Sequence, residues 1–267
     1  RPYLKMPTLF TRLVIVFGMH LFCVSQVYAG QIEFVENKGQ WHANATFKAG
    51  FSTGAVFIEN DGFTYNLLDL DAIHHTHHTH TAFSGTIQAH AFQMKFLNAS
   101  FQTSSAGKKK RPNYRNYFLG HDATKWKSKV KGFEEVQHTA LYAGVNMRTY
   151  SSNGHLKYDL IVSPTTDASI ISMKYDGLDA MRIRPNGDLE LKTALMDVLE
   201  RNPIAYQNIG DERIEVACEF ILDGTIVSFR FPDGYNNNYK LIIDPELVFS
   251  TYSGSDANNF GSSASYD

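Results

Sequence analysis

Four pairs of short alternating runs, each pair hinged on a turn signal, leave this chain little choice but an antiparallel sheet. Ala55-Val-Phe-Ile-Glu59 and Phe63-Thr-Tyr-Asn-Leu67 flank Asn60-Asp-Gly62. Val145-Asn-Met-Arg-Thr-Tyr150 and His155-Leu-Lys-Tyr-Asp-Leu-Ile-Val162 flank Ser152-Asn-Gly154. Met181-Arg-Ile-Arg184 and Asp188-Leu-Glu-Leu-Lys192 flank Pro185-Asn-Gly187. Ile214-Glu-Val-Ala-Cys-Glu-Phe-Ile-Leu222 and Thr225-Ile-Val-Ser-Phe-Arg-Phe231 flank Asp223-Gly224. A period of two sends successive side chains to opposite faces, so each run offers one apolar face for packing. Asn-Gly and Asp-Gly supply the positive φ that a tight hairpin requires. Ala89-His-Ala-Phe-Gln-Met-Lys-Phe96 and Tyr239-Lys-Leu-Ile-Ile243 add further strands. Only residues 123–131 and 195–201 carry a helix-like pattern, and both are short. The expected fold is therefore all-β, an antiparallel β-sandwich, with division into two sandwich halves near residues 99–113 left open. Within that stretch, residues 104–112 read as a solvated loop because of their Gly, Pro and lysines.

The first 29 residues are of another kind. Arg1, Lys5 and Arg12 precede the apolar run Leu13-Val-Ile-Val-Phe-Gly-Met-His-Leu-Phe-Cys-Val24, and Val27-Tyr-Ala29 places small residues where a signal peptidase reads. That order is the signature of a secretory signal peptide over 1–29, cut after Ala29. The run is short for a membrane span and His20 interrupts it. Position 1 is not Met, and Met6 opens a more ordinary leader. The expected location is secreted or at the cell surface.

Composition narrows the partners. The chain holds 25 Lys and Arg against 27 Asp and Glu, and the leader removes only basic residues. A mildly acidic remainder argues against general binding to nucleic acid or anionic membranes. Of the two cysteines, Cys23 lies in the leader, so Cys218 has no intramolecular partner after cleavage. An exported domain without a disulfide fits a bacterial envelope better than a eukaryotic secretory route.

Several separated motifs carry a resemblance. Phe34-Val-Glu-Asn-Lys-Gly-Gln-Trp41, Asn116-Tyr-Phe-Leu-Gly120 with Lys125-Trp126, Leu141-Tyr-Ala-Gly-Val-Asn-Met147, Leu156-Lys-Tyr-Asp-Leu-Ile-Val162 and Leu241-Ile-Ile-Asp-Pro245 stand in order. Together they resemble the uncharacterised N-terminal all-β domain of large exported Bacteroidota proteins. In that family the domain precedes SBBP-like, propeller-type repeats and a gliding-motility-associated sorting domain used by type IX secretion. The resemblance implies an uncharacterised domain over 30–246 and the start of a first propeller-type repeat over 247–267, within a longer protein. A lone repeat cannot bury its own faces, so the downstream domains are the expected partners.

Candidate chemistry is sparse. His74-His-Thr-His-His-Thr-His80, with Asp69 and Asp71 before it, offers metal-ligating imidazoles. A catalytic zinc site recruits ligands and their supports from separated segments, whereas these are all local, so a His/Thr-rich connection is the preferred reading. Lys108-Lys-Lys-Arg111 reads as solvated charge rather than a polyanion site. Glu134 and Glu135 are adjacent on a strand and face opposite ways, so they cannot flank one glycosidic bond. Trp41, Trp126 and the many tyrosines serve either a sandwich core or a carbohydrate platform. No catalytic, cofactor-binding or metal-ligating residue is assigned, and no cofactor is expected.

The sequence thus points to a non-enzymatic extracellular structural and presentation module of a multidomain bacterial surface protein, linked through its family to gliding motility or adhesion. The first alternative is a carbohydrate-binding adhesin module, which requires an exposed row of aromatics on one sheet face and is opposed by burial of Trp41 and Trp126. The second is a metal-dependent hydrolase built on the 74–80 histidines. Surface polysaccharide is a candidate partner, nucleic acid is not, and membrane contact is limited to export.

Overall fold

The hairpins marked by the turn residues are present, and they are joints of one large antiparallel sheet. A computed structural model describes residues 32–69 and 86–249. Residues 1–29, expected to be a signal peptide, the 74–80 histidines and residues 250–267 lie outside the described residues. Strands β1 (Phe34–Glu36), β2 (Ala45–Phe51), β3 (Gly54–Glu59), β4 (Gly62–Leu68) and β5 (Ala89–Phe96) run as a meander, each paired to the next. A ribbon of two long strands follows, β6 (Ser104–Tyr117) and β7 (Lys127–Tyr142). The free edge of β7 receives β1 at Phe133 and, further on, β8 (Val145–Ser152) from Glu135. Beyond β8 lies β9 (His155–Val162).

The remaining strands build two wings. On one side β10 (Ser172–Asp176) pairs with β5 and with β17 (Ile226–Arg230), whose outer neighbour is β16 (Glu219–Asp223). On the other side β9 is shared along its length. Its last residues carry β18 (Leu241–Asp244), then β14 (Ile204–Ile209) and β15 (Glu212–Val216). Its first residues carry β19 (Glu246–Phe249), then β13 (Asp197–Glu200), β12 (Leu189–Lys192) and β11 (Ala180–Ile183). The edge strands β11 and β16 approach each other, so the sheet nearly closes into a barrel. The all-β antiparallel class expected from the hairpins is the class observed. Leu247, assigned from the sequence to the following repeat, belongs to β19 and is buried in this domain's core.

One hydrophobic core fills the interior and takes members from both sides of residues 99–113. Phe63 meets Tyr158 edge-on at 5.7 Å between ring centroids, and Tyr65 stacks on Phe92 at 4.5 Å. Each of these fully buried side chains contributes about 1.5–3 kcal/mol by leaving water. Two turns show how local chemistry sets register. Asn153 and Gly154 both have positive φ (51° and 79°) and form the two-residue loop between Ser152 and His155. Gly62 lies inside β4 opposite Glu59, and a Cβ there would sit 2.1 Å from the Met94 carbonyl oxygen.

Three expectations need correction. Residues 104–112 are strand, not loop. Lysines and a proline are tolerated because β6 is an outer strand, paired among the described residues only with β7, and Pro112 falls where the register shifts between Lys110 and Tyr114. The helix-like stretches fail too. Only the single 3₁₀ turn Ala123–Lys125, capped by Asp122, precedes β7, and residues 197–200 are strand β13. Pairing with β12 and β19 outweighs the helical preference of Leu and Glu there. The run 214–222 is split between β15 and β16.

Candidate functional site

The loop after β1 is built around one side chain. Asn37 donates from Nδ2 to the carbonyls of His42 (2.9 Å) and Ala45 (2.7 Å). Its Oδ1 accepts from the backbone N–H of Gly39 (2.9 Å) and Trp41 (3.3 Å). Gln40 ties the same loop to the Glu36 carbonyl at 2.7 Å. This is the physical content of Asn37-Lys-Gly-Gln-Trp41: five residues folded so that the indole stands on the sheet.

Trp41 is half-buried and meets Tyr117 edge-on at 5.3 Å and Phe57 at 6.3 Å. Lys48 Nζ lies 5.4 Å from the Trp41 ring centre and 5.2 Å from that of Phe57, in cation–π range. Two open clefts share Trp41 as a wall. The first, about 450 Å³, has Tyr117, Lys48, Arg111, Arg115 and Glu33 around it. The second, about 430 Å³, is lined by Phe57, His42, Asn44, Glu59, Thr64 and Gln93. Both volumes lie in the range of small-molecule sites.

Their electrostatics differ. In the first cleft Arg115 forms an ion pair with Glu33, while the buried Nε of Arg111 has no hydrogen-bond partner among the described residues. Burial raises the Tyr117 phenol above its ordinary pKa, with Arg115 opposing. In the second, Glu59 accepts from Lys95 (2.5 Å) and Thr64 (2.5 Å), and Gln93 donates to Thr64 at 3.0 Å. Burial works against the Lys95 ammonium, but hydrogen bonds to Asp61 and Glu59 outweigh it and raise its pKa.

The other sequence candidates are dispersed. Trp126 is 43% exposed at the ribbon's far end, edge-on to Phe118 at 5.4 Å. The exposure that a carbohydrate platform needs is therefore met by Trp126 and partly by Trp41. Glu134 is exposed and Glu135 buried, the opposite facing expected of neighbours on a strand. Cys218 is buried, and burial pushes its thiol up to about 12, far from a reactive thiolate. Among the described residues no three His, Cys, Asp or Glu side chains converge as metal ligands.

Sequence reasoning singled out Trp41 and Arg111 but missed Lys48, Glu33 and Arg115 as their neighbours. The available signal was Arg115 and Tyr117, two apart and next to residues 104–112, which read as a loop.

Fold and site together define an antiparallel all-β domain with an open aromatic and cationic surface beside its first strand. Over residues 34–246 the chain matches the family described as a domain of unknown function, DUF7948, and it belongs to that family. No curated protein and no solved structure matches the chain.

Proposed function

We propose that this domain is a non-enzymatic extracellular binding and presentation module that holds a saccharide against Trp41. The observation that carries the reading is the placement of that indole. It is pinned by the Asn37 loop, half-exposed, and flanked by two clefts rich in hydrogen-bonding side chains. A sugar ring offers an apolar C–H face bordered by hydroxyls. An aromatic ring matches the first, and Asn, Gln, Thr and carboxylate groups match the second. The clefts rest on paired strands, so little ordering entropy is lost on binding. Export, and a place ahead of propeller-type repeats in a longer Bacteroidota surface protein, belong to the same proposal. They are supported by the leader-like residues 1–29 and by the motifs at 34–41 and 116–126.

The chain has two tryptophans, so Trp126→Phe leaves Trp41 as its only indole. Titrating oligosaccharides into that variant should shift or quench the remaining fluorescence. On a glycan array, Trp41→Ala should lose the wild-type signal while keeping a cooperative melt and a β-type circular dichroism spectrum. Equal array profiles for wild type and folded Trp41→Ala would refute saccharide binding here, and so would silence of the wild type.

A further inference from the structure

The cations of the β6–β7 ribbon have few acidic counterparts. Residues 104–142 carry nine Lys and Arg against three acidic residues, Asp122, Glu134 and Glu135, in a chain of formal net charge −2. Lys109 pairs with Glu135 and Arg115 with Glu33. Lys108, Lys110, Arg111, Lys127, Lys129 and Lys131 form no ion pair among the described residues. Like charges so arranged repel one another and lower stability unless something anionic lies along them.

Part of this charge converges where the aromatic site is. Arg111, Arg115 and Lys48 reach the 450 Å³ cleft beside Trp41, where Glu33 is the acidic lining residue and is already paired. Arg111 Nε is buried and has no hydrogen-bond partner among the described residues. A buried donor left unmatched is costly, and an anionic acceptor would recover the loss through a charge-assisted hydrogen bond.

The second cleft on the same indole has the opposite character. Asn44, Thr64 and Gln93 offer neutral donors and acceptors, and Glu59 brings a carboxylate already held by Lys95. A ligand spanning both clefts carries negative charge on one unit and hydroxyls on the next. Nucleic acids and bilayers present a phosphate on every unit and would set one against Glu59.

Resting on the saccharide reading above, we infer that the ligand is an acidic polysaccharide in which carboxylate-bearing and neutral sugar units adjoin. The carboxylate unit occupies the Arg111, Arg115 and Lys48 cleft. Its neutral neighbour lies against Asn44, Thr64 and Gln93, and the unpaired ribbon cations extend the attraction along the polymer.

The test compares four probes on the whole chain: hyaluronan oligosaccharides, which alternate uronate and neutral units; neutral oligosaccharides of equal length; a single-stranded oligonucleotide; and phosphatidylserine vesicles. Hyaluronan should bind tightest, and its affinity should fall steeply between 50 and 300 mM salt, about tenfold or more for several screened contacts. Arg111→Gln and Lys48→Gln should each weaken it about tenfold, in line with loss of a charge-assisted contact. Lys48 is only partly buried, so its variant keeps the test open if Arg111→Gln does not fold. Tighter binding of the oligonucleotide or the vesicles overturns the inference. Salt-independent binding, or Trp41-dependent binding of the neutral oligosaccharide as tight as that of hyaluronan, overturns the charge assignment and leaves the saccharide reading intact. Failure of every saccharide removes both.

Discussion

His138 gives the sharpest prediction about stability. It lies on β7, 1% exposed, with Nδ1 3.0 Å from Ser105 Oγ. Ser105 Oγ donates its own proton to Asn60 Oδ1 at 2.8 Å, so it accepts from His138. This favours the neutral tautomer with the proton on Nδ1, and the buried Nε2 has no hydrogen-bond partner among the described residues. Protonating the ring places a charge in the interior, away from water. Burial therefore lowers the pKa from 6.5 to about 4, with a hydrogen bond to the Asn60 backbone opposing. The folded state binds this proton less readily than the unfolded chain. The stabilisation is complete above pH 6.5 and is lost as pH falls toward 4. Over that window the loss amounts to about 3 kcal/mol, at 1.36 kcal/mol for each pKa unit. Urea unfolding of wild type and His138→Gln at pH 7, 6, 5 and 4 measures it. The glutamine amide can still donate to Ser105 but does not titrate, and subtracting the two curves cancels the carboxylates common to both. The gap in stability should narrow by about 3 kcal/mol from pH 7 to 4. A gap constant to within about 0.5 kcal/mol, the usual error of such differences, would show that His138 is not held neutral by burial.

Two other perturbations have signs set by the structure. Glu200 is fully buried and accepts hydrogen bonds from Tyr158 and from Tyr175 (2.8 Å); burial raises its pKa, and the two phenols only partly offset this. Its folded form holds a proton more tightly than the unfolded one, so stability falls as pH rises through the raised value. Glu200→Gln should gain on wild type in thermal melts between pH 4.5 and 8, and parallel profiles would contradict the argument. Gly62→Ala drives a methyl against the Met94 carbonyl oxygen, 2.1 Å from the Cβ, with the Met94 carbonyl carbon and Lys95 Cα each at 3.0 Å. It should cost about 1–3 kcal/mol in denaturant unfolding, and a neutral result would mean that β4 and β5 can part locally.

The hairpins were legible because their causes are local. The Asn153-Gly154 turn and the alternation on β8 and β9 lie within a few residues of one another, and closing so short a loop costs little entropy. The ribbon was misread for an equally physical reason. Polarity on β6 says only that its side chains face water, which a loop and an outer strand share. Helix-forming residues at 197–200 were overruled by partners on β12 and β19 that no local pattern names. The Glu200 pair of hydrogen bonds, joining β13 to β9 and β10, was invisible for the same reason.

By itself, then, the order of residues determined an antiparallel all-β chain, the positions of its main hairpins, and the opposite facing of Glu134 and Glu135. Tertiary structure alone decided that β10 lies between β5 and β17, that β9 is divided between β18 and β19, and that Trp41 meets Tyr117 and shares a cleft with Arg111. Alternation specifies which face of a strand is apolar, and a turn specifies one neighbour. Which distant edges then pair depends on how all the apolar faces fill one core together, and that sum is not written in any single segment.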